Sequence, residues 1–227
     1  MKLAKLAKSA ALAAAAFAAI GNTANWNTEV RETAQSHVIG NPKAKHTLTE
    51  FVSYTCDHCA TFVHEGDGTL QFALVGPGHL LREVRHIVRD PIDLTATMLA
   101  HCGAPSEFPQ NHVAIMRAQD KWLPIAARAT PAQRQRWTSG TGTARRQAIA
   151  QDLGFYTLME RRGYRRIAVD TCLADDAKAN ALARSAVADL DKYELRGTPS
   201  FALDGEVLRG THNWATLQPQ LTALYRP

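Results

Sequence analysis

The sequence predicts an α/β fold interrupted by an all-helical insertion, and three observations carry that expectation. A strand, helix, strand unit opens the chain after its leader, about a hundred residues of helical periodicity without strand signals follow, and a short hairpin with a last helix closes it. With 227 residues and 45% hydrophobic content, the chain can bury one core, or one core carrying a large insertion.

The leader reads as an export address. Lys2, Lys5 and Lys8 precede the apolar stretch SAALAAAAFAAI, and Ala19-Ile20-Gly21 offers small residues around a cleavage point. The stretch is shorter than the roughly 20 residues a membrane span needs. Residues 1–21 are therefore expected to be a removed signal peptide, and the remainder soluble.

Each later element has its own signal. HTLTEFVSY (46–54) is strand-like. In CDHCATFVHEGDGTLQFAL (56–74), Cys59, Phe62, Val63 and Leu70 share helical spacing, and Gly66 and Gly68 mark a kink. LLREVRHIV (80–88) alternates as a second strand, so a parallel pair is expected. From Pro91 to Tyr193 the segments LTATMLAHC, FPQNHVAIMRAQDKWL, TARRQAIAQDL, FYTLMERRG and DDAKANALARSAVADLDKY each read as helix, separated by prolines and glycines. PSFALDG and EVLRG return to strand character and join at Asp204-Gly205, a hairpin turn signal, before the final helix NWATLQPQLTALY. Trp122, Trp137 and Trp214 lie at helical spacing from other apolar residues and are expected in the core.

Charge excludes little. Loss of residues 1–21 removes three lysines and no acid from a net +5, leaving +2, which makes no case for nucleic acid. The arginine-rich ERRGYRR reads as a solvated helical face.

Four cysteines, Cys56, Cys59, Cys102 and Cys172, allow two bridges in three pairings in a compartment where disulfides persist. Cys56, at the first turn of a helix, faces unpaired backbone N–H groups and the positive end of the helix dipole, which favour its thiolate. Cys59 comes round to the same face, close enough to bridge and more buried. His58 between them can add a positive charge or a donor near the Cys56 sulfur. A structural bridge between Cys102 and Cys172 is preferred over two free buried cysteines. A zinc site on Cys56 and Cys59 would need two distant ligands, and although His101 beside Cys102 raises that reading, Cys102 has no close-spaced partner, so no metal ligand is assigned. His64, His79, His86, His101 and His112 show no ligand spacing and read as surface or core residues.

Three features together resemble a DsbA-like thiol-disulfide oxidoreductase of the thioredoxin superfamily. They are TEFVSYTCDHC, with Glu50 six positions before Cys56 and His58 before Cys59; GTPSFALDG, with Thr198 before Pro199; and the helical block between them. The resemblance spans Val38 to Tyr225 and implies a thioredoxin fold with an inserted all-helical domain: residues 22–90 and 194–227 form the thioredoxin-like domain and 91–193 the insertion. It further implies a cis peptide at Pro199 beside the sulfurs, a client strand docked there next to Thr198, and Glu50 as a partly buried carboxylate that passes a proton as Cys59 ionises. Asp57 stands where such proteins more often have proline, and a carboxylate there predicts a weaker oxidant.

The function so implied is an exported, periplasmic, monomeric dithiol oxidase without a cofactor. Its partners would be unfolded or reduced exported proteins and a quinone-linked membrane protein of the DsbB type. A reductase or isomerase shares every residue named and differs in potential, and a thioredoxin-like chaperone would need neither cysteine.

Overall fold

The structure, a computed structural model, describes residues 25–225, so the expected signal peptide lies outside the described residues. Its centre is one six-stranded mixed sheet, comprising β1 (Val30–Glu32), β2 (Ser36–Ile39), β3 (His46–Val52), β4 (Leu80–His86), β5 (Ser200–Leu203) and β6 (Glu206–Val207), in the spatial order β1-β2-β4-β3-β5-β6. β3 and β4 are parallel, with Leu48 opposite Arg82 and Val52 opposite His86, as a strand, helix, strand unit requires. The other pairings are antiparallel.

Alternation along β3 decides what lies on each face. Leu48, Glu50 and Val52 share one side, where Leu48 and Val52 join the main core, while Phe51 packs on the other side with Ile87, Ala202 and Tyr193. Helix α1 (Asp57–Glu65) covers the first face through Phe62 and Val63. It stops at Gly66, where a Cβ would come within 2.5 Å of the Trp214 ring. A short turn (Asp67–Thr69) and a π-helical turn (Leu70–Val75) follow, so the break falls where the glycines predict it.

Between β4 and β5 every regular element among the described residues is helical. α2 (Pro91–Ala100) is capped by Asp90, which accepts from the backbone N–H groups of Ile92 and Asp93, with Pro91 at the first helical position. Then come α3 (Phe108–Arg117), α4 (Gln119–Ala127), α5 (Pro131–Thr138), α6 (Gly142–Asp152), α7 (Phe155–Arg161), α8 (Arg166–Ala174) and α9 (Asp176–Lys192). α9 closes the second face of the sheet, where Asp189 pairs with Arg85 at 3.0 Å. α10 (Trp214–Ala223) ends the fold, capped by Asn213 and packed through Leu217 and Leu221. Trp122 and Trp137 are buried, and Trp214 is half-buried against Phe62. At the predicted hairpin, Asp204 (φ 52°) and Gly205 (φ 89°) both adopt positive φ, as a type I′ turn demands.

Four elements carry no expectation from the sequence. β1 and β2 are short, and β2 buries Ser36 and His37, so no apolar alternation announces them. α5 is polar on most of its turns and buries only Trp137, and α8, though richer in apolar residues, buries only Val169 and Leu173, so the buried stripe of each is thin.

Cys102, just after α2, is bridged to Cys172 on α8, with Cα atoms 5.7 Å apart across a sequence separation of 70. Cross-linking that interval restricts the unfolded chain by about 4 kcal/mol on the chain-entropy model. Cys102→Ala with Cys172→Ala is therefore expected to lower the unfolding free energy by about that amount. Urea unfolding of both proteins, with Cys56 and Cys59 in the same redox state, measures it. A loss under about 1 kcal/mol would mean that the helices hold that geometry unaided.

Candidate active site

β3 delivers the chain into the segment Ser53–Thr55, and that segment sets Cys56 at the N-cap of α1. The segment is gripped from the insertion. Asp93 on α2 accepts from Ser53 Oγ at 2.6 Å, from Tyr54 N–H at 2.8 Å and from Arg89 N–H at 3.1 Å. Gln119 on α4 donates through Nε2 to the Tyr54 and Cys56 carbonyls, at 2.6 and 2.8 Å. Burial pushes the Asp93 carboxyl up to about 6 against these donors.

Cys56 and Cys59 are free thiols in this state, 5% and 0% exposed. The Cys56 thiol donates to the Thr198 carbonyl at 3.0 Å, and Ser53 N–H donates to the Cys59 sulfur at 3.5 Å. The Thr198–Pro199 peptide is cis. Its loop is fixed by Ser200 Oγ donating to the Gly197 carbonyl and His212 Nδ1 donating to the Pro199 carbonyl, both at 2.8 Å. Chain segments 142 residues apart thus meet at one sulfur.

The two sulfurs differ in their electrostatics. Cys56 is lowered to about 5, first by the hydrogen bond from the Cys59 thiol and then by the Thr198 side chain rather than its carbonyl, by the Cys59 backbone N–H and by the charge of Arg89, all against the cost of burial. Burial pushes Cys59 well above the ordinary thiol range, and the neighbouring Cys56 adds to it. One sulfur is a ready thiolate and the other holds its proton.

Of the residues singled out in the sequence, Cys56, Cys59, Thr198 and Pro199 come together here. His58 and Asp57 are exposed, and the Asp57 carboxylate accepts from the His58 backbone N–H at 2.9 Å. His58 is not among the groups that lower Cys56; the cation that does so is Arg89, whose Nη2 donates to Thr55 Oγ1 at 3.0 Å. Glu50 is fully buried, where a partly buried carboxylate was expected, because β3 turns it into the core beneath α1. Arg82 on β4 holds it through two contacts of 2.8 Å and reaches Asp67 at 2.6 Å. Burial still pushes Glu50 up, since one guanidinium is shared between two carboxylates.

Of the histidines expected at the surface or in the core, His64 and His79 are exposed and the others pack inside, where they cluster. His86, His101 and His112, with His37, are gathered around Phe108 and Tyr54 because β2, β4, the end of α2 and α3 converge there. Linear spacing carries no trace of this. Nor does it pair Arg82 with Glu50, or Asp93 and Gln119 with the active-site segment.

A family model described as thioredoxin matches residues 32–223. Curated relatives from Rickettsia typhi and Rickettsia bellii, carried under the name protein-disulfide oxidoreductase, are 34% identical over 86 residues and 24% identical over 169 residues. The first match covers 37% of this chain and 32% of the relative, the second 74% and 56%, so the chain spans about a third to a half of the length of these relatives. The crystal structure of a protein-disulfide isomerase from Novosphingobium aromaticivorans is 46% identical, covers 85% of this chain and 98% of its own, and superposes with a TM-score of 0.81. The α-DsbA1 structure from Wolbachia pipientis shares the fold at 18% identity, with a TM-score of 0.64 over 86% of this chain and 92% of its own.

Proposed function

The chain belongs to the thioredoxin family, as a DsbA-like member with a helical insertion, and from that premise we propose that it is an exported thiol-disulfide oxidoreductase acting chiefly as a dithiol oxidase. One observation carries the reading: Cys56 is held as a thiolate beside the cis-proline loop while Cys59, beneath it, is held as a thiol. A stabilised Cys56 thiolate favours the reduced enzyme, and so makes its disulfide a donor.

Starting from the oxidised enzyme, a client thiolate attacks Cys56 Sγ, the Cys56–Cys59 bond breaks, and Cys59 leaves with the electron pair and takes a proton. Glu50, whose carboxyl burial pushes up, is the buried acid on that face of β3. A second client thiolate then attacks the client sulfur of the mixed disulfide and expels Cys56 as the thiolate. Two client thiols become one disulfide, and the enzyme gains the two electrons. Reoxidation falls to a membrane partner of the DsbB type.

Residues 22–90 with 194–227 would form the redox domain and 91–193 the client-facing insertion, in a periplasmic monomer. Ile125, Ile167 and Val187 expose apolar side chains on the insertion, suited to reduced, unfolded exported proteins. Among the described residues no helix is long and apolar enough to cross a membrane.

The isomerase reading is favoured by the name of the Novosphingobium aromaticivorans protein. Equilibration of the Cys56–Cys59 pair against glutathione buffers separates the two. A potential of roughly −120 to −180 mV is expected; about −230 mV or lower would reassign the protein as a reductase or isomerase. Client binding that survives Cys56→Ala, with no exchange activity in the wild type, would leave only the chaperone.

A further inference from the structure

We infer that Glu32, His37 and His101 form a binding site for one zinc-like divalent ion, distinct from the redox centre, that ties the N-terminal strands to the helical insertion. One ligand atom from each residue lies within 4.8 Å of the others. The His101 Nδ1 to Glu32 Oε1 separation is 3.4 Å. Two ligands on one zinc, with bonds of about 2.1 Å at the tetrahedral angle, stand about 3.4 Å apart. That pair is already spaced for a shared ion.

His37 supplies the second, independent observation. It is 1% exposed, and its Nδ1 has no hydrogen-bond partner among the described residues. A buried ring nitrogen left without a partner calls for a physical explanation. Its ring stacks on Phe108 at 3.9 Å and meets the His101 ring edge-on at 4.4 Å, which fixes its plane against the cluster.

The surroundings suit the assignment. A metal-binding histidine usually directs its second ring nitrogen to a partner that fixes the tautomer. His101 Nε2 lies 3.4 Å from His86 Nδ1, His86 Nε2 lies 3.2 Å from the Tyr54 hydroxyl, and that hydroxyl lies 2.8 Å from His112 Nδ1. With an ion on His101 Nδ1, each member of this chain can donate to the next. A cavity of about 270 Å³, lined by Glu32, His101, Asp175 and Lys178 among others, gives access from solvent and room for water as the remaining ligand. Two imidazoles and a single carboxylate suit zinc better than calcium or magnesium, which take mainly oxygen ligands.

The opposing group is Lys178, whose ammonium contacts Glu32. Its place shows that the carboxylate attracts a cation, and it is also a competitor. Lys178 is 28% exposed on α9, so its flexible stem can swing into water when an ion enters.

The test titrates zinc chloride into the full chain with the Cys56–Cys59 disulfide formed, so that no thiolate competes. One equivalent is expected to bind. Cobalt in its place should give ligand-field bands without sulfur charge transfer. Glu32→Gln and His37→Ala should each weaken binding at least tenfold, and Lys178→Gln should tighten it several-fold, a gain that misfolding cannot produce. Absence of a stoichiometric site, a sulfur charge-transfer band, or affinities unchanged in both Glu32→Gln and Lys178→Gln would overturn the inference.

Discussion

Replacing Cys56 with alanine is expected to reduce disulfide exchange to background, and the wild-type thiol is expected to titrate near pH 5. Alkylation of the reduced protein should rise through about that pH and level off above it, with Cys59 unmodified in the folded state. The same ionisation governs stability. The folded Cys56 lies below its ordinary 9.0, so its contribution to the reduced protein is fully present above the unfolded value and is lost as pH falls through about 5. The oxidised protein has no such ionisation. At pH 7 the reduced form should therefore be the more stable, the reverse of an ordinary structural disulfide, and the gap should close toward pH 4. Urea unfolding of the two forms across that interval measures it. An alkylation inflexion near 8.5, or an oxidised form that is more stable at neutral pH, would remove the basis for a strong oxidant.

The dithiol was legible in the sequence because its chemistry is local. Cys56 and Cys59 lie one helical turn apart after a strand with its own periodicity, and the Thr198-Pro199 loop is placed beside them by the family resemblance that GTPSFALDG carries. What supports the dithiol was not legible, because it is built from residues far apart in the chain. Arg82 meets Glu50 across 32 residues, and Gln119 meets the Tyr54 carbonyl across 65. The histidines around Tyr54 come from β2, β4, the end of α2 and α3, and only the packing of the insertion against the sheet brings them together. His58 shows the opposite case. Adjacency to both cysteines suggested an electrostatic role, yet the helix turns it to solvent, and Arg89, 33 residues beyond Cys56, supplies the charge.

Arg82→Ala is expected to cost about 3–5 kcal/mol, at the upper end because two buried carboxylates lose their counter-ion at once. Arg82 is 2% exposed, Glu50 0% and Asp67 2%, and Gln71 Nε2 is the remaining donor to Asp67, at 2.7 Å. Without the guanidinium, Glu50 can stay buried only as the neutral acid. A carboxyl raised above its unfolded value stabilises the fold fully below the unfolded pKa and ceases to do so as pH rises through the folded one. The Arg82→Ala protein should accordingly regain stability on acidification from pH 7 toward 5, where the wild type gains less. Adding Glu50→Gln should recover part of the loss at pH 7, because a neutral amide then replaces the uncompensated charge. Urea midpoints of the wild type, the single variant and the double variant at two pH values, all in the oxidised state, decide the matter. A loss below about 1 kcal/mol, or no response to pH and to Glu50→Gln, would mean that water reaches Glu50. A hydrated Glu50 would lose the burial that pushes its carboxyl up, so this stability measurement also tests the proton-passing role proposed for it in the exchange step.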